Sequence, residues 1–77
     1  MSRPFTATIQ QSDGWWIGWV EEWAGINCQA HSREELIDDM KSAMMEMREI
    51  EREEGLPDRY DSREAPTLIV SVQNPIP

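Results

Sequence analysis

Apolar and polar residues alternate from Pro4 to Gln11, with Phe5, Ala7 and Ile9 on one side and Thr6, Thr8 and Gln10 on the other. Period two predicts a half-buried strand over about residues 4–11. Asp13-Gly14 follows, a strong hairpin signal because a type I′ turn needs positive φ at both central positions. The return run, Trp-Trp-Ile-Gly-Trp-Val-Glu over 15–21, has the aromatic and β-branched content that suits a pleated surface. With Asp13-Gly14 as the loop, Ile9 opposes Gly18, Ala7 opposes Val20 and Gln11 opposes Trp16. One sheet face then carries Phe5, Ala7, Ile9, Trp16, Gly18 and Val20. The other carries Thr6, Thr8 and Gln10 with Trp15, Ile17 and Trp19, and a one-residue slip would exchange the two sets. A turn over 22–25 leads to a short third strand, 26–30, with Ile26, Cys28 and Ala30 on one side.

The period then changes. Ser32 and Glu35 have the spacing of a capping box, and Glu34 and Glu35 suit the positive end of a helix dipole. Leu36, Met40, Ala43, Met47 and Ile50, widened by Ile37 and Met44, form a stripe broad enough to cover a sheet face, predicting a helix over about 33–54. On this pattern the methionines are core filler, and Met45 falls off the stripe. Gly55 and Pro57 stop the helix. Residues 56–65 read as a polar connection and 67–72 as a last strand. A crossover through a helix returns a strand parallel to an earlier one. The expectation is therefore an α+β fold, β-β-β-α-β in strand order 3-2-1-4. One helix packs on one face of a four-stranded sheet, and the other face stays bare.

Length and charge narrow the functions. Seventy-seven residues make one domain spanning 1–77. A net charge of −8 argues against direct nucleic-acid binding and is compatible with a basic protein partner. One cysteine and one histidine exclude an intramolecular disulfide and a closed Cys/His zinc site from a single chain. Cys28 and His31 stand three apart, and on a strand such residues point to opposite faces, so no metal site is expected. The absence of a long apolar run and of a signal-peptide pattern predicts a cytoplasmic location and no membrane attachment. Without a nucleophile–base pair, a phosphate loop or clustered carboxylates, neither catalysis nor a cofactor is expected.

Asp13-Gly14-Trp15-Trp16-Ile17-Gly18-Trp19-Val20, then Gly25, then Ser32-Arg33-Glu34-Glu35-Leu36 together resemble the HicB antitoxin family over roughly Phe5 to Gly55. Glu21 and Ala24 stand where that family usually has prolines, Ile26 where it often has cysteine, and Leu36 where alanine is usual. The resemblance implies a partial ribonuclease-H-like fold and a partner, a small basic ribonuclease toxin of a type II toxin–antitoxin system. The chain is expected to bind and mask this toxin without a DNA-binding domain of its own. Nuclease activity from the chain is not expected, because the outward face of the first strand carries Thr6, Thr8 and Gln10 rather than carboxylates. The alternative is an orphan homo-oligomer, a dimer or tetramer.

Three groups of residues are candidate contacts. Trp15, Ile17 and Trp19 would form an apolar patch on the bare sheet face, a self-association surface. Trp23 either covers the core edge or meets a partner. Leu68 and Val70 belong to a hydrophobic edge strand that invites pairing with another chain. Glu46, Glu49 and Glu53 are either a solvated helix face or the docking surface for a basic partner, with Arg48 and Arg52 expected to pair locally with Glu51 and Glu49.

Overall fold

Asp13 and Gly14 take φ of 48° and 82°, so the chain reverses in two left-handed residues. In the computed structural model, which describes residues 4–60 and 66–73, this turn joins β1 (Phe5–Ser12) to β2 (Trp15–Val20). The register is the expected one: Ala7 opposite Val20, Ile9 opposite Gly18, Gln11 opposite Trp16. β3 (Asn27–Ala30) pairs antiparallel with β2, and β4 (Leu68–Gln73) pairs parallel with β1, giving the order β3-β2-β1-β4. β3 starts one residue later than expected because Ile26 still belongs to the turn, its N–H donating to the Trp23 carbonyl at 3.4 Å.

The helix α1 (Arg33–Glu53) begins where the Ser32 hydroxyl accepts the Glu35 amide proton at 3.2 Å. Its buried residues are Leu36, Met40, Met44 and Arg48, with Ala43 and Met47 partly buried beside them. This corrects the expected stripe. Every fourth residue advances about 400° around the axis, so the buried line drifts about 40° per step. By the third step Arg48 has turned inward, and Ile50 is left 49% exposed.

α1 packs over β2 and β3. A Cβ on Gly18 would lie 2.9 Å from Met40 Sδ and 3.1 Å from Leu36 Cδ2, so glycine is what lets the helix sit this close. Asp39 acts electrostatically on Cys28, and a Cβ on Gly25 would lie 3.6 Å from Met47. The helix flank bearing Ala43 and Met47 therefore faces the β3 side, with Asp39 at the margin between that flank and the outer surface, and the flank bearing Ile37, Lys41 and Met45 turns toward β1 and β4.

A second packing centre closes one end of the sheet. Phe5, Trp23 and Tyr60 are buried with ring centroids 5.7–6.4 Å apart. Arg59 lies over the Trp23 ring at 4.7 Å and Arg48 over Tyr60 at 4.8 Å. The stretch read as a purely polar connection thus supplies a core residue, Tyr60. It also redirects the arginines. Arg48 and Arg52 reach Asp58 at 3.1 and 3.8 Å, and Glu51 is held by Arg59 at 2.7 Å, in place of the pairs expected within the helix. Arg48 sits on the buried line where the chain folds back after α1, so its nearest carboxylate comes from that return segment.

Candidate functional site

Alternation along the strands, fixed by the hairpin register, places Trp15, Ile17 and Trp19 on the sheet face opposite α1, and among the described residues no element covers that face. Trp15 is 41% exposed and stacks on the His31 ring with centroids 4.0 Å apart. Ile17 and Trp19 are half-buried. The strip ends on a carboxylate. Glu21 Oε1 accepts hydrogen bonds from Trp19 Nε1 at 2.9 Å and from the buried Thr8 hydroxyl at 2.7 Å. Beside it, the Thr6 amide and hydroxyl donate to the two oxygens of Glu22 at 2.7 and 2.9 Å. The amide bond, reinforced by the hydroxyl, holds the Glu22 carboxyl below its ordinary value of 4.5. The patch is thus half apolar and half a hydrogen-bonded rim.

The second surface is the outer crest of α1. Taking the buried line as the inward direction, a 100° step per residue puts Glu35, Asp38, Asp39, Glu46, Glu49 and Glu53 on the outward side. All six are exposed. They run about 27 Å along the axis at about 1.5 Å per residue. The helix cations sit elsewhere: Arg33 at the first position on the side of the buried line, Lys41 and Arg52 on the flank toward β4, and Arg48 inside with its charge against Asp58. The crest is therefore a strip of one sign.

The third surface is β4. Its outer edge pairs with no described strand. Ile69 is 54% exposed on the open face and Val72 44% exposed on the helix side. Leu68 and Val70 are half-buried: they pack against the core on the helix side, opposite Phe5 and Ala7, rather than standing free as an exposed contact surface. The most exposed apolar side chains of the edge are those of Ile69 and Val72.

Of the two roles expected for Trp23, the structure shows the first, covering the core edge. Trp23 is fully buried between Phe5 and Tyr60 and capped by Arg59, so it anchors the turn after β2 and offers nothing to a partner. Its Nε1 makes no hydrogen bond of good geometry, yet it stands close enough to Glu51 to help lower that carboxyl, after the larger effect of Arg59. Arg59 and Tyr60 were missed in the sequence because a single aromatic in a charged stretch has no period. Cys28 is half-buried, and burial together with Asp39 pushes its thiol above the ordinary range. Among the described residues no group of three or more His, Cys, Asp or Glu could hold a metal ion, and no helix is long and apolar enough to cross a membrane. Comparison with known proteins gives no match: no family model, no curated protein and no solved structure is significantly similar to the chain.

Proposed function

We propose that this chain is an antitoxin-like interaction module that binds and masks a small basic protein, a ribonuclease toxin in the reading its HicB-like spacing suggests. The observation that supports it is the crest of α1, where six exposed carboxylates stand in a row about 27 Å long with no cation among them. Such a strip attracts a cationic surface, speeds the encounter and suppresses neutral or acidic competitors. Masking is steric and electrostatic and asks for no bond-making chemistry from the chain. Such a protein would act in the cytoplasm, where its toxin is made.

Co-expression of the tagged chain with the product of its adjacent reading frame tests this. Copurification of a basic protein, lost in Glu46→Gln/Glu49→Gln/Glu53→Gln, is the expected result. Elution of the chain free of any such protein contradicts it. A second reading, an orphan homo-oligomer, is favoured by the exposed Trp15 and half-buried Ile17 and Trp19 on the open face. Trp19→Glu would then lower the mass measured by light scattering while leaving the fold intact.

A further inference from the structure

We propose that β4 is a pairing edge for β4 of a second copy of this chain, joining two four-stranded sheets into one eight-stranded sheet. Alternate residues of an edge strand direct their N–H and C=O groups outward, and natural edges are usually protected by charge, proline or a bulge. β4, Leu-Ile-Val-Ser-Val-Gln, carries none of these; its helix side, Leu68, Val70 and Val72, is apolar, and its open side joins the exposed Ile69 to Ser71 and Gln73. The opposite edge, β3, is four residues long with Asn27 and Gln29 turned out.

Symmetry selects the register. A two-fold axis normal to the sheet makes the strands antiparallel and keeps both helices on the same side. Opposed residues share a face, so their numbers must add to an even total. With Val70 opposite Val70 of the second copy, Leu68 meets Val72 and Ile69 meets Ser71. This is the register in which the three helix-side residues of β4 meet only one another. It covers Val72, which α1, lying over β2 and β3, does not reach.

Charge permits this edge. Each chain carries −8, which opposes self-association through most surfaces. β4 is uncharged, and α1 sits over the far half of its sheet. Across the joined sheet the two helices are six strand spacings apart, about 29 Å at about 4.8 Å each. That is more than three times the screening length of about 8 Å at physiological salt, so the two acidic crests scarcely repel. The crests also stay free, so a basic partner and the second copy can be bound together. The pairing therefore stands or falls independently of the masking function.

Light scattering on the full chain at about 0.15 M salt tests it. The wild type is expected at twice the 9.0 kDa of one chain, and Ile69→Lys/Val72→Lys, both at exposed positions, at the mass of one. A cross-link reads the register. In a Cys28→Ala background, Val70→Cys should oxidise to a covalent dimer, because opposed Cα atoms about 4.5–5.5 Å apart suit a disulfide. Ile69→Cys, facing Ser71, should cross-link far more slowly. A single-chain mass for the wild type at every concentration overturns the proposal, as does a dimer that survives the lysine pair. Faster cross-linking at residue 69 than at 70 also overturns it. So does capture of a basic partner that the lysine pair abolishes, since the edge would then belong to that partner.

Discussion

Single atoms decide how closely the layers approach. At Gly18 a methyl group would meet Met40 Sδ at 2.9 Å and Ile9 Cγ2 at 3.2 Å. Overpacking of this kind costs about 1–3 kcal/mol, and the entropy removed from the unfolded chain returns less than about 1 kcal/mol. Gly18→Ala should therefore lower the denaturation midpoint. Combined with Met40→Ala, it should cost less than the two changes summed, because the truncated methionine vacates the space. Two carboxylates make stability depend on acid. Glu22 is lowered by the Thr6 amide and Glu51 by the Arg59 guanidinium. A group with a lower pKa folded than unfolded stabilises fully above its unfolded value, here about 4.5, and loses that contribution as pH falls through the folded value. Midpoints measured between about pH 6 and about pH 3 should fall more steeply for the wild type than for Glu22→Gln or Glu51→Gln. Parallel slopes would contradict the assignment.

At the scale of elements, the hairpin and helix start were legible because local geometry dictates them. Asp13-Gly14 has few conformations open to it, and its two-residue loop fixes every pairing from Ser12–Trp15 to Ala7–Val20. Ser32 marked the helix start as plainly. Removing that cap, Ser32→Ala, should cost about 1 kcal/mol, seen as a lower midpoint in circular dichroism. The end of α1 was less legible. Ile50 fits an apolar stripe, yet the drift of the buried line turns Arg48 inward, where Tyr60 and Asp58 wait. Hydropathy hides a buried arginine, because its environment comes from a segment ten residues further on. For the same reason Trp23 stayed open between two roles in the sequence: its burial depends on Phe5 and Tyr60 rather than its neighbours in sequence. Arg48→Ala should destabilise by about 2–4 kcal/mol, since it removes packing, the ring contact and the partner of Asp58 at once. Arg52→Ala, exposed and 3.8 Å from the same carboxylate, should cost less than about 0.5 kcal/mol. Equal losses would mean that Arg48 contributes only its surface charge.

At the scale of the whole molecule, the helix sits off-centre, and that placement separates the surfaces. α1 over β2 and β3 lifts the acidic crest away from β4, leaving an uncharged edge on one side and a one-sign strip on the other. The sequence revealed the crest, since Glu46, Glu49 and Glu53 recur at helical spacing, and it revealed the edge strand. It could not reveal which face of β4 stays open. That depends on how far α1 reaches across the sheet, set by the approach at Gly18 and the aromatic cluster at the far end. The central claim is that the crest draws a basic protein, and the most direct test is the rate of that association. With the captured partner in hand, stopped-flow mixing would compare the wild type with Glu46→Gln/Glu49→Gln/Glu53→Gln at about 0.05 M and about 0.15 M salt. Charge steering predicts association about tenfold slower or more for the variant at low salt, with the gap narrowing as salt rises. Equal rates at both salt concentrations would contradict the account.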